Sequence, residues 1–229
     1  MQKNMASKNI TTAVETIVTL VKFKIYGNLR FLSHAETLTL FQRACTRAGI
    51  NLCYSKGYNP RPKLSLPLPR TVGIESADDI LVMQIELPDQ KAFDTDLLKS
   101  ILTKELPQGC ELLNITITKP KTSIQPTAAT YELPIRNQYV TDELKSCIHK
   151  TLESETLHVK RRTKKTDKTR DINIRKFIKA IDLRKNDVIV ECSITPTGTV
   201  RPDEILKLLH LDYDKLSAPI SRKNVKWLN

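Results

Sequence analysis

The sequence predicts an α+β protein of two ferredoxin-like lobes, each of the β-α-β-β-α-β type with an antiparallel or mixed sheet. Three observations carry this. Apolar and polar residues alternate, or run together as short apolar stretches, at 17–25, 79–87, 110–118, 156–162 and 187–194, as strands require. Helix-period segments with start signals open near Ser33, Asp94, Thr141 and Pro202. A polar, proline-bearing stretch, 119–129, divides the chain into halves of similar pattern. The expected organisation is a tail over 1–16, an N-terminal lobe over 17–118, a linker over 119–129 and a C-terminal lobe over 130–229.

In the first strand Val21, Phe23 and Ile25 point one way and Lys22 and Lys24 the other. Ser33-His34-Ala35-Glu36 is a capping box. The Ser33 hydroxyl accepts from the third helical amide while Glu36 reaches back to the cap amide. Leu38, Phe41, Cys45 and Ala48 follow at helical spacing, and Gly49 suits the left-handed residue that ends a helix. A short strand over 50–54 leads into 54–70, whose prolines at 60, 62, 67 and 69 exclude regular helix. Asp78 and Asp79 read as the end of a turn before the strand DILVMQIEL. The second half reads as a strand near 130–135, a helix from Thr141, a strand over 156–162, a helix over 172–182 capped by Asp171, a strand over 187–194 and a helix from Pro202.

Charge is the strongest functional signal. The chain has 229 residues, with 37 Lys+Arg against 25 Asp+Glu and a net charge of +12. Such an excess favours a polyanion: nucleic acid, acidic protein or anionic lipid. It is concentrated in two irregular segments. The prolyl loop 54–70 carries Lys56, Arg61, Lys63 and Arg70 without an acid, and the hairpin 158–170 carries seven basic residues and one acid. Lysine and arginine neutralise phosphates, and Tyr54 and Tyr58, interleaved with Lys56 and Arg61, offer rings for unpaired bases. The candidate nucleic-acid-binding residues are therefore Arg30, His34, Tyr54, Lys56, Tyr58, Asn59, Arg61 and Lys63, with Lys160, Arg161, Arg162, Lys164 and Lys165 from the hairpin.

Other chemistry is not indicated. Five separated cysteines, without a CxxC pair, do not spell a disulfide framework, a zinc clip or an iron–sulfur cluster, and fit a reducing cytoplasm. No glycine-rich phosphate loop, signal peptide or membrane-spanning run is apparent, so no cofactor, no metal and no membrane contact is expected. No paired carboxylates form an acid–base couple; Glu75 and Asp171 are the nearest candidates.

The run GNLRFLSHAETLTLFQRACTRAGINLCYSKGYNPRPKLSLPLPRTVGIES (27–76) resembles the radical SAM-linked protein family, a domain of unknown function found alone or C-terminal to radical SAM proteins with a cobalamin-binding-type region. The matching elements are LRFLSH (29–34), Arg47-Ala48, YSKGYNPRPKLS (54–65) and GIES (73–76). DINIRKFI (171–178), RPDEILKLL (201–209) and Arg222 also match. Ala35 and Glu36 stand where the family commonly has leucine and aspartate, and Arg61 where it often has histidine. Arginine there suits phosphate contact rather than catalysis. The resemblance implies an accessory or substrate-presenting module for a separate radical SAM enzyme, since this chain lacks the CxxxCxxC triad. The expected function is non-catalytic RNA binding in RNA modification, with transfer or ribosomal RNA as candidate ligands. The alternatives are an RNA-modifying enzyme of pseudouridine-synthase-like architecture and a protein-docking subunit that touches no nucleic acid. In the last reading Leu206, Leu209 and the nearby Trp227 offer an apolar contact.

Overall fold

The computed structural model describes residues 15–87, 93–119, 122–162 and 169–228. The strands are β1 (Thr16–Ile25), β2 (Leu64–Ser65), β3 (Glu75–Glu86), β4 (Cys110–Thr118), β5 (Gln125–Pro134), β6 (His158–Arg162), β7 (Thr169–Asn173), β8 (Ile178–Arg184), β9 (Asp187–Ser193) and β10 (Ser221–Leu228). The helices are α1 (His34–Arg47), α2 (Thr95–Glu105), α3 (Asp142–Glu153) and α4 (Pro202–Leu208). The fold is mixed α+β. One sheet runs β4-β1-β3-β10-β5-β9-β8, with β2 also on β3, while β6 and β7 form a separate hairpin. Every pairing is antiparallel except β10 with β3, which is parallel and joins only Ser221 to Glu75 and Arg222 to Ser76.

Local chemistry explains most boundaries. In β1 the side chains of Thr19, Val21, Phe23 and Ile25 are buried while Lys22 and Lys24 are not. Both halves of the α1 capping box form: the Glu36 amide donates to Ser33 Oγ at 3.3 Å, and the Ser33 amide donates to Glu36 Oε2 at 2.8 Å. Gly49 ends the helical run at φ +67°. Asp94 caps α2 and Thr141 caps α3, each through its side chain, and Pro202 opens α4.

Two apolar clusters lie against the sheet. One packs Phe41, Ala44 and Cys45 of α1 and Leu98 and Leu102 of α2 on β1, β3 and β4, with Phe41 edge-on to Phe23 at 4.8 Å. Burying one such ring contributes about 1.5–3 kcal/mol. The other packs Leu144, Ile148, Ile205, Leu206 and Leu209 on β5, β8 and β9. Leu66 belongs to the first cluster and Leu68 to the second. The LSLPLP stretch therefore seals one half to the other, with its prolines falling where the chain leaves the ladder.

Five expectations are corrected. The stretch expected as a linker puts residues 125–129 into β5. The expected helix over 172–182 is instead the end of β7, a 3-10 turn at Arg175–Phe177 and strand β8. A bulge between Ile178 and Ala180 lets Ile178 and Ile181 both face the core from a strand, at the spacing a helix would use. The expected strand over 50–54 reduces to isolated bridges, Leu52 to Ile85 and Tyr54 to Pro62. Asp78 and Asp79 do not end a turn: they lie buried within β3. Leu206 and Leu209 are buried too, so neither offers an outward contact. No helix of the described residues is long and apolar enough to cross a membrane.

Burial sets an alkaline limit. It pushes the thiols of Cys45, Cys110 and Cys192 up to about 12, whereas an unfolded thiol titrates near about 8.5. A pKa raised on folding gives stability that is complete below the unfolded value and is lost as pH climbs toward the folded one. The urea midpoint is expected to fall from about pH 9 upward, and less steeply in Cys45→Ala/Cys192→Ala. Parallel slopes for the two proteins would contradict this.

Candidate nucleic-acid interface

Cys53 and Lys63 sit side by side against Gln84 of β3. The Cys53 amide donates to Gln84 O at 2.9 Å, the Lys63 amide to Cys53 O at 2.8 Å, and the Gln84 amide to Lys63 O at 3.0 Å. Everything between them is extruded as a hairpin. Inside it the Ser55 amide donates to Arg61 O at 2.8 Å and the Arg61 amide to Ser55 Oγ at 2.9 Å. Gly57 turns the chain at φ +146°, a region L side chains avoid. Pro60 and Pro62 restrict the unfolded alternatives, which lowers the entropy cost of holding this shape.

The consequence is a presented surface. Tyr58 is 100% exposed and Tyr54 48%; Lys56, Asn59, Arg61 and Lys63 are exposed as well. Among the described residues no carboxylate pairs with Lys56, Arg61 or Lys63. The rest of the expected basic loop behaves otherwise. Arg70 is buried, its Nη1 donating to Asp79 Oδ2 at 2.7 Å, so its charge is not part of this surface.

Arg30 lies elsewhere. Arg30 donates through Nη1 to Gly27 O at 2.8 Å and stacks over Phe31 at 4.3 Å. Its carbonyl accepts from the Gly73 amide, and Glu75 accepts from the Gly27 amide at 2.9 Å. That end of β3 is nine residues from Gln84, about 30 Å along a strand. His34, the first residue of α1, has Nδ1 buried without a hydrogen-bond partner. The structure does not bring Arg30 to the tyrosine hairpin.

The β6–β7 hairpin forms a second basic region. Arg161 grips Glu204 of α4 bidentately, Nε to Oε1 and Nη2 to Oε2 at 2.7 Å each, and Nη2 also donates to Thr199 O at 2.6 Å. The hydrogen bond to Glu204 raises the Arg161 pKa against the opposing effect of burial. Arg161 thus anchors the hairpin rather than standing ready for phosphate. Between β6 and α4 lies a cavity of about 410 Å³, lined by Lys160, Arg161, Arg162, Arg201, Asp203 and Lys207 among others. Arg201 and Lys207 were missed in the sequence because they flank the acidic pair Asp203-Glu204 and form no basic run. Lys164 and Lys165 lie outside the described residues.

The fallback carboxylates have ordinary duties. Glu75 holds the Gly27 amide. Asp171 caps no helix: it stands exposed on β7 with its Oδ2 at 3.1 Å from His158 Nδ1. Among the described residues no group of three or more His, Cys, Asp or Glu could hold a metal ion.

Fold and surface together define an α+β protein that presents an aromatic, cationic hairpin from one sheet. The chain belongs to DUF2344, a family of uncharacterized proteins conserved in bacteria, which matches it over residues 19–202. Among curated proteins no sequence match is found. The small subunit of acetolactate synthase from Thermotoga maritima is 10% identical, with 94% of this chain and 98% of that one covered at a TM-score of 0.28. An unknown protein from Galdieria sulphuraria is 11% identical, with 94% and 100% covered at 0.27. Likenesses this slight carry no argument about function.

Proposed function

We propose that the chain is a non-catalytic RNA-binding protein that holds unpaired RNA on the 54–63 hairpin and presents it to a separate enzyme. One observation carries the reading: a fully exposed tyrosine, Tyr58, stands among three cations that have no carboxylate partner among the described residues. A loop serving only solubility gains nothing from an aromatic ring at its tip. A base stacked on that ring returns about 1–3 kcal/mol, and each neighbouring cation adds phosphate attraction. By the family resemblance, the enzyme served is a radical SAM protein acting in RNA modification.

The same reading treats the halves as two ferredoxin-like lobes. β1-α1-β2-β3-α2-β4 pair in the order β4-β1-β3-β2, and β5-α3-β8-β9-α4-β10 pair in the order β10-β5-β9-β8. The permutation is the same once the β6–β7 hairpin is set aside as an insertion.

Fluorescence anisotropy with labelled oligouridylate, repeated over a range of salt, tests the RNA reading. If Lys56, Arg61 and Lys63 each neutralise one phosphate, a short oligonucleotide should give a log–log slope near about −2. A flat salt response, or no binding at low salt, would sink it. Co-purification of a radical SAM protein that survives nuclease treatment tests the partner.

A further inference from the structure

We infer that the cavity between β6 and α4 is a second phosphate-holding site, and that it takes the backbone of the same RNA strand beyond the nucleotides on the 54–63 hairpin; this rests on the RNA reading above. The cavity's charge is specific. Glu204 is consumed by the fork from Arg161 and by the Arg201 amide, which donates to its Oε2 at 2.9 Å. That carboxylate therefore cannot neutralise the remaining cations. Lys160, Arg201 and Lys207 are exposed, and among the described residues none of them is paired. Asp203 is left as the opposing charge.

Shape supports a discrete anion over a flat surface. A volume of about 410 Å³ falls in the range of ligand pockets, and seven of the ten lining residues are charged. Strand β3, which carries the first hairpin, and edge strand β8, which follows the second, are four strand spacings apart, about 19 Å. An RNA strand that engages both sites would bind far more tightly than at either alone. Short RNA should therefore ignore the cavity and long RNA should feel it.

The test uses the full chain, with a short and a long oligouridylate, and inorganic pyrophosphate as a probe of the cavity alone. Lys160→Glu/Lys207→Glu should weaken the long oligonucleotide by about 100-fold at low salt, leave the short one unchanged, and reduce the long one's salt slope by about 1.4. Asp203→Asn should tighten the long one by about fivefold, a gain that damaged folding cannot mimic. Pyrophosphate should bind the wild type and not the double variant. Equal binding of the long oligonucleotide by wild type and double variant overturns the inference while leaving the first hairpin's role intact. If neither oligonucleotide binds the wild type, the RNA reading itself falls. Pyrophosphate binding would then make the cavity a site for a free polyphosphate and overturn its RNA occupant.

Discussion

Asp79→Asn is expected to destabilise the protein by about 3–5 kcal/mol, read as a lower urea midpoint. The reason lies where β10 meets β3. Asp79 accepts from Arg70 through Oδ2 and from Arg222 through Oδ1. The side chains are 1% exposed for Arg70, 3% for Asp79 and 4% for Arg222. Burial pulls the Arg70 guanidinium below its ordinary pKa, with Asp79 pulling back and Arg222 adding to the strain of like charge. Neutral asparagine would leave two guanidiniums facing each other out of water, the uncompensated charge that a low-dielectric site penalises most. Arg222 also donates to Ser76 Oγ at 3.4 Å and stands opposite Tyr131 in the β10–β5 register, so the cluster sits where β3, β10 and β5 meet. Replacing all three ions together, as Arg70→Met/Asp79→Leu/Arg222→Met, should cost far less than the single change. A single variant within about 1 kcal/mol of wild type would show that the triad is not what fastens this junction.

That junction shows where sequence reading stops. The alternation of β1 and the Ser33–Glu36 box are local, each decided within a few residues, and both were legible. Asp79 and Arg222 are 143 positions apart. Nothing near Asp79 announces that partner, and a pair of aspartates before an apolar run resembles a turn. The error over 172–182 has a different origin. A bulge adds a residue to the strand, and the added residue turns a two-residue period into something close to a helical one. Count and spacing carry no burial, so Arg70 and Arg161 read as part of a basic surface, whereas Asp79 and Glu204 hold them for structural purposes. What charge counting did isolate, the run Tyr54 to Lys63, is the part whose hydrogen bonds are nearly all internal. Its shape therefore depends little on distant residues.

Because that hairpin is self-contained, its function can be separated from its fold. Arg61→Glu/Lys63→Glu alters exposed side chains only, since the bonds that pin the hairpin run through the backbones of Cys53, Ser55, Arg61 and Lys63 and the Ser55 hydroxyl. Stability should change by less than about 0.5 kcal/mol. Affinity for oligouridylate should drop by about 100-fold at low salt, and the log–log salt slope should shrink, because two counterion-releasing contacts become repulsive. Tyr58→Ala should weaken binding by a comparable factor, the about 1–3 kcal/mol of a lost stacking platform, yet leave the slope as it was. Tyr58→Phe should keep nearly all the affinity, since the stacking face survives the loss of the hydroxyl. Ring and cations thus fail in distinguishable ways: one shifts the whole salt curve, the other tilts it. A hairpin that merely solubilises its lobe would do neither, and a docking surface for an acidic protein would tilt without shifting.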